Sequence, residues 1–403
     1  MRKTRRLFLV AGLLVALVLL AAPVTFASGK TEGAEGQPIK LGLINMRTGG
    51  GSIHAIHVYR AVKLAVDEIN AAGGLLGRKV ILIEEDSHTE VDLALQKLNK
   101  LMKDDKVAAT AVFDFSNILQ AHIELAAQNR HLLLGGGLNE GAYINHYMVG
   151  AFAQPNQWIF PIMDWANKEV GKKAYLIGSD YAWGRGSLES AKKHLGEIGG
   201  TVAGEAYYPL GTTDWAPAVQ KIKDSGANWI LPMVAGNDYV TFLKAFFDFG
   251  LQKKITIANT IFNEEDAPAF PPDLRDGLMT VATYFMTVPT AENKTFMANL
   301  RKNFGSDVIM TNFGEAYYDQ VWMWAKAVQA AGTTETEAVI KALEKLPPFV
   351  GPQGRLTIDP KTHCYIMNAY LGRVNADGTI SVEKSLGEVF PVPAIQGDAR
   401  PIP

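Results

Sequence analysis

The chain has 403 residues, 48% of them apolar and 20% charged, with a formal net charge of -2 and a single cysteine, Cys364. Both signs of charge are mixed along its length, which excludes a nucleic-acid binder, since such proteins gather lysine and arginine on one face. One thiol excludes an internal disulfide, and no cysteine near the start offers a lipidation site.

Arg2, Lys3, Arg5 and Arg6 lead into an apolar run from Leu7 to Ala22, followed by small residues around Ala27. This is the pattern of a secretory signal over residues 1–27, cut after Ala27. The stretch from Thr4 to Leu9 is also similar to a twin-arginine signal, though the greasy run suits the general export route better. A retained anchor is the competing reading, but a helix of that length spans roughly 24 Å against a hydrocarbon layer of roughly 30 Å. The expectation is an exported protein in the periplasm, freely diffusing, with 28–38 as a disordered leader rich in Gly, Glu and Lys. The rest of the chain is too long for one ordinary domain and suits two.

From Ile39 onward, short apolar runs alternate with amphipathic stretches, the signature of βαβ units and a parallel sheet. The pattern predicts strands over 39–45, 80–84, 108–113 and 132–134, the last breaking at Gly135-Gly136-Gly137. Helices are expected between them over 53–72, 91–102 and 116–129. A second set begins with strands at 174–178, 229–234 and 256–260 and helices at 187–198 and 238–249. A double glycine closes a helix once in each half, at Gly73-Gly74 and Gly199-Gly200, a hint of duplication. Three further helices, over 291–304, 313–331 and 335–346, come too late to belong to the second lobe alone.

Catalytic signatures are missing: there is no nucleophile elbow, H-E-x-x-H, P-loop or dinucleotide fingerprint. His54 and His57 have a spacing that could hold a metal, but no third ligand is at a recognisable spacing, so they read as solvated helix residues. Glu84-Glu85-Asp86 and Glu264-Glu265-Asp266 read as charged loop ends. Ligands of open α/β sheets settle at the carboxyl ends of strands, beside helix N-termini. Four junctions qualify, over 46–54, 114–119, 179–187 and 235–239. Ser116 offers a hydroxyl together with free N–H groups, or is a plain N-cap. Tyr181 and Trp183, on a loop past a strand, either cover a ligand or belong to the core.

Several motifs then carry a resemblance. Gly-Ser-Asp-Tyr-Ala-Trp-Gly-Arg-Gly at 178–186, Gly199-Gly200 and Tyr-Pro-Leu-Gly-Thr-Thr-Asp-Trp at 208–215 are joined by Ile39-Lys-Leu-Gly-Leu-Ile, Ala65-Val-Asp-Glu-Ile-Asn70, Gly73-Gly-Leu-Leu-Gly-Arg78 and Gly-Pro-Gln-Gly-Arg-Leu-Thr-Ile-Asp at 351–359. In this order they resemble the type I periplasmic binding proteins of the branched-chain amino acid (Leu/Ile/Val-binding) class that serve ABC transporters, with similarity to the short-chain amide and urea branch. The resemblance spans about residues 39–385. It implies an α/β flytrap of two Rossmann-like lobes with parallel sheets joined by a three-crossover hinge. Lobe 1 would comprise 39–154 and 285–350, and lobe 2 would comprise 155–284 and 351–403.

The implied function is a non-enzymatic receptor, without cofactor or metal, that delivers an amino acid, amide or small organic acid to an ABC permease as a monomer. Matching the family's site residue by residue implies Ser116 for the ligand's carboxylate or amide oxygen and Thr48 as a contact in the first loop. Tyr181 and Trp183 would be aromatic walls, and Asn237 and Asp238 polar partners for an ammonium group. Two departures stand out. Gly184 replaces a proline, and Gly135-Gly-Gly-Leu-Asn-Glu140 replaces the small residue and threonine that grip an α-amino acid. The second puts a leucine-type ligand in doubt and suits a larger, aromatic or unusual small acid. An amide- or urea-binding sensor of the same fold is the alternative, and an exported α/β hydrolase is the third reading, lacking a nucleophile.

Overall fold

The computed structural model describes residues 36–395, so the expected signal and most of the leader lie outside the described residues. The first sheet is built from β1 (Ile39–Asn45), β2 (Val80–Asp86), β3 (Ala109–Phe113), β4 (Leu133–Leu138) and β5 (Met148–Ala153). All are parallel, in the order β2-β1-β3-β4-β5. Parallel pairing needs crossovers, supplied here by α1 (Ser52–Ala71), α2 (Val91–Asn99) and α3 (Ser116–Gln128).

After the short α4 (Pro155–Trp158) and α5 (Phe160–Glu169), the chain builds a second sheet from β6 (Lys173–Ser179), β7 (Thr201–Tyr208), β8 (Trp229–Met233), β9 (Thr256–Asn259) and β10 (Met279–Ala282). Its crossovers are α6 (Ala182–Glu197), α7 (Ala216–Asp224) and α8 (Asn237–Asp248), with the single turn α9 (Pro272–Arg275) before β10. The chain then returns to the first lobe as α10 (Ala291–Phe304), α11 (Asn312–Ala331) and α12 (Thr336–Leu343). Glu68 of α1 anchors that return, taking bonds from Tyr318 Oη at 2.5 Å, Asn299 Nδ2 at 2.6 Å and Trp322 Nε1 at 3.3 Å. A last crossing leads to β11 (Phe349–Gly351), β12 (Gly354–Ile358), β13 (Tyr365–Val374) and β14 (Ile380–Val389), which add antiparallel strands beside β10. The two lobes are thus linked three times, the architecture expected of a type I flytrap.

Cys364 lies in the linking region, 3% exposed and 3.3 Å from Gln154 Nε2. Burial pushes its thiol up to about 12, so it stays protonated and unreactive. No helix among the described residues is long and apolar enough to cross a membrane.

Three local expectations are corrected. The fourth strand does not break at its triple glycine; β4 runs on to Leu138. Aromatic rings occupy the space that side chains would need: a Cβ on Gly135 would stand 2.2 Å from the Phe152 ring and 2.5 Å from Met148. Glycine here is a packing residue rather than a terminator. The helix expected at 187–198 begins at Ala182, so Trp183 sits in its first turn and not on a loop. Gly184 permits this, since a Cβ there would meet the Ser179 carbonyl oxygen at 2.2 Å. The second helix ends in a π-helical turn over Lys100–Asp105 instead of continuing regularly. Strands β5, β7, β10 and the antiparallel set went unpredicted; β7 is partly exposed along its length and carries Gly204 and Glu205 at its middle, and so lacks an apolar run.

Replacing Gly135 by alanine should destabilise the protein by about 1–3 kcal/mol through overpacking against Phe152. Denaturant unfolding measures this, and an unchanged midpoint would show that the rings do not hold the strand.

Candidate functional site

Both parallel sheets point their carboxyl ends at one another, and a cavity of about 80 Å3 lies between them. On the same measure one water needs roughly 10–15 Å3, so the space admits a small organic molecule. Each wall comes after a strand end. Met46 comes after β1, Asp114 to Ser116 after β3, Leu138 at the end of β4, Tyr181 and Trp183 after β6, Ala235 and Gly236 after β8, and Ile261 after β9. Helix α11, returning from the far end of the chain, adds Phe313 and Tyr317.

Aromatic rings dominate this lining. Phe113 packs against Phe313 at 5.7 Å and edge-on to Tyr317 at 5.8 Å. Across the gap between lobes, Phe115 meets Tyr181 at 5.5 Å. Trp183 stacks between Tyr181 and Trp158, with centroids 6.2 and 5.6 Å away. Trp158 in turn donates from Nε1 to the Asn139 carbonyl at 3.0 Å, tying α4 to the end of β4. Tyr181 and Trp183 are therefore both core and wall.

The polar groups are few. Ser116 opens α3, buried, and donates from Oγ to Glu140 Oε2 at 3.1 Å. The Tyr143 hydroxyl stands 2.8 Å from the Ser116 carbonyl and 3.0 Å from Glu140 Oε1, with one proton to share between them. Burial pushes the Glu140 carboxyl above its ordinary value, outweighing the hydrogen bonds from its own backbone amide, Tyr143 and Ser116. Asp114 turns toward His122, Oδ2 to Nε2 at 3.5 Å, with both side chains fully buried.

The other residues expected at the site do not line the cavity. Thr48 is exposed and bonds Asp86, Oγ1 to Oδ2 at 2.9 Å. Asn237 is exposed, and its backbone amide donates to the Gly50 carbonyl at 3.3 Å across the lobe boundary. Asp238 accepts from the Gly211 amide at 2.7 Å, facing the 208–215 loop. Gly236 matters more than either neighbour: its φ is +56°, and a Cβ would meet the Gly50 carbonyl at 2.3 Å, so only glycine lets the lobes approach here.

The expectation for His54, His57 and the 264–266 acids is overturned. Both histidines point inward from α1, and Glu265, from the segment after β9, reaches across from the second lobe between them. His54 Nδ1 is 2.5 Å from Oε1 and His57 Nε2 is 2.9 Å from Oε2, while Glu265's side chain is only 3% exposed. Glu264 and Asp266 are buried too, each anchored by backbone amides, of Met286 at 2.7 Å and Asn263 at 2.9 Å. The signal for this cluster was present as a histidine pair and an acid triplet, but 211 residues separate its halves and spacing alone could not join them.

Comparison with known proteins agrees with the geometry. The sequence model of the periplasmic binding protein family matches residues 38–379. A Leu/Ile/Val-binding protein homolog from Brucella melitensis is 29% identical over 214 residues, or 52% of this chain. That match spans 55% of the relative, about half the length of the curated relatives first matched. Among solved structures, an ABC transporter solute-binding protein from Rhodopseudomonas palustris, in complex with 3,4-dihydroxybenzoic acid, is 26% identical with a TM-score of 0.75, covering 89% of this chain and 98% of its own. An amino acid ABC transporter substrate-binding protein from Pseudomonas fluorescens shares the fold, with a TM-score of 0.81 at 17% identity, covering 91% and 100%. With two lobes closed on one cavity and a family match over most of its length, the chain belongs to the type I periplasmic binding proteins.

Proposed function

We propose that this protein is the extracytoplasmic solute receptor of an ABC importer and that it encloses a small aromatic carboxylic acid, handing it to the permease. Export through the signal over 1–27, which ends with cleavage at Ala27, and action as a monomer belong to this reading. So do lobe bounds at 39–154 with 285–350 and at 155–284 with 351–403.

The observation that carries the ligand class is the lining. Rings of Phe113, Phe115, Tyr181, Trp183, Phe313 and Tyr317 surround a small space, and flat apolar walls suit a flat apolar body. Asp238, the candidate partner for an α-ammonium group, is engaged elsewhere, which favours an acid without that group over an ordinary amino acid. The free N–H groups at the start of α3 supply donors for an oxygen of the ligand, joined by the Ser116 hydroxyl when its one proton turns from Glu140 to the ligand. The dihydroxybenzoic acid held by the Rhodopseudomonas relative is of the same class. Binding favours the closed state because the ligand touches both lobes at once, and a permease can read that shape.

A thermal-shift panel tests the reading on protein unfolded and refolded to strip carried-over ligand. It should include hydroxybenzoic acids, branched-chain and aromatic amino acids, short amides and urea. At a hundredfold over its dissociation constant a true ligand adds about 2.7 kcal/mol, a shift of a few degrees. Hydroxybenzoic acids should give it. A shift with amides or urea alone would replace this reading by the amide-type branch, and one with branched-chain amino acids alone would restore the amino-acid receptor.

Ser116→Ala should weaken binding of the compound so found by about 1–3 kcal/mol, as the loss of a buried hydrogen bond costs. Calorimetry showing unchanged affinity would remove Ser116 from the ligand's contacts.

A further inference from the structure

We propose that His54 is the residue of this cavity that recognises the ligand's acid group, and that Glu265, arriving from the opposite lobe, is the positioning residue that aims it. This rests on the ligand being a carboxylic acid, as proposed for the function.

No lysine or arginine lines the cavity; His54 does, with its ring 4.6 Å from Phe313 and 6.3 Å from Phe113. Its Nδ1 faces a Glu265 oxygen, so that nitrogen carries a proton, and Nε2 has no hydrogen-bond partner among the described residues. A carboxylate on one imidazole nitrogen fixes the ring's orientation and raises the basicity of the other, as the outer partners of metal-bound histidines do. Here the beneficiary is the ligand: a doubly protonated ring offers Nε2–H as a charge-assisted donor to an acid oxygen.

The charges around the ring support that state. Burial pulls His54 down, but Glu265, by charge and hydrogen bond, and Asp266 farther off overcome it and hold its proton above the ordinary histidine range. Burial pushes Glu265 up, and His54 and His57 more than offset that, keeping it ionised well below its usual range. Glu264 and Asp266, on the same segment, are pushed up by burial to about 7 and about 8, so they contribute less negative charge near neutrality. His57, on the same helix, divides its ring between Glu265 and the Ile309 carbonyl at 3.0 Å. From β3 and α11 the ring meets Phe113 and Phe313, and Asp114, which follows β3 in the same lining, turns toward His122.

The arrangement couples recognition to closure. Glu265 belongs to the second lobe, so its carboxylate reaches Nδ1 only when the lobes meet, and the donor is completed as the ligand is enclosed. This fixes the sign of the pH dependence. A histidine raised in the closed state supplies its contribution in full below the ordinary histidine range and loses it as pH rises through the raised value. Glu265, depressed, supplies its part above the ordinary glutamate range and loses it only in strong acid.

The test uses the full mature chain and its His54→Gln and Glu265→Gln variants. Calorimetry with 3,4-dihydroxybenzoate from pH 5.5 to 9 is paired with NMR titration of the His54 ring in the protein saturated with that ligand, where the lobes are closed. Wild-type affinity should fall up to tenfold per pH unit once the raised value is passed. His54→Gln should bind about tenfold or more weakly with a flat profile, and Glu265→Gln should move both the fall and the ring titration to lower pH. Equal affinity and profile in His54→Gln would overturn the proposal, and so would a ring titration unmoved by Glu265→Gln. If wild type binds no aromatic acid, the ligand reading fails by itself, and the ring titration is run with whichever compound of the thermal-shift panel does bind, where it decides whether Glu265 aims His54. Should Glu265→Gln unfold, His54→Gln alone decides whether the ring recognises the acid.

Discussion

A carboxylate taken out of water must find opposite charge or give up its own, and Glu265 finds it only on the other lobe. Its two oxygens are claimed by His54 and His57 on α1, while its backbone belongs to the segment between β9 and β10. The closed arrangement of the molecule depends on that meeting. Around it stand contacts of lesser cost: the Phe115–Tyr181 ring pair, the Asn237 amide on the Gly50 carbonyl, and Trp158 on the Asn139 carbonyl. Separating the lobes exposes all of them to water, where the ionised groups are well solvated. That makes closure a reversible step, which a receptor that must release its cargo requires.

The rest of the fold serves to bring these parts opposite one another. Two parallel sheets end at one cavity because each βα unit returns its strand in the same direction, leaving loops and helix N-termini at one edge. Three links hold the lobes in register, and the buried Gln154, Gln157 and Cys364 knit them: Gln157 Nε2 donates to the carbonyls of Tyr365 at 3.0 Å and Val389 at 2.8 Å. The late helices α10 to α12 complete the first lobe from the far end of the chain, and with α11 come two of the aromatic walls.

The regular α/β core was legible because its signal is local. Alternating apolar runs marked β1, β3, β6, β8 and β9, and double glycines marked the ends of α1 and α6. What escaped depends on distant packing. Gly135 reads as a strand breaker until Phe152, from the neighbouring β5, fills the space above it; Trp183 reads as a loop residue until Gly184 lets α6 start against the Ser179 carbonyl. At the site, Ser116, Tyr181 and Trp183 were within reach of motif matching, and the structure brings all three to the cavity wall. The match to Thr48, Asn237 and Asp238 fixed a stretch of chain but not a side-chain direction, and these three face Asp86, solvent and the 208–215 loop. The histidine clasp was invisible as a unit, since neither half has a motif of its own.

Small-angle scattering on the stripped mature protein, with and without a saturating hydroxybenzoic acid, reads out whether the ligand stabilises the closure of the two lobes. The radius of gyration should fall when the ligand is added, with scattering that matches the closed arrangement. A radius of gyration that stays the same, in a sample where calorimetry shows the ligand bound, would contradict a closure that the ligand stabilises.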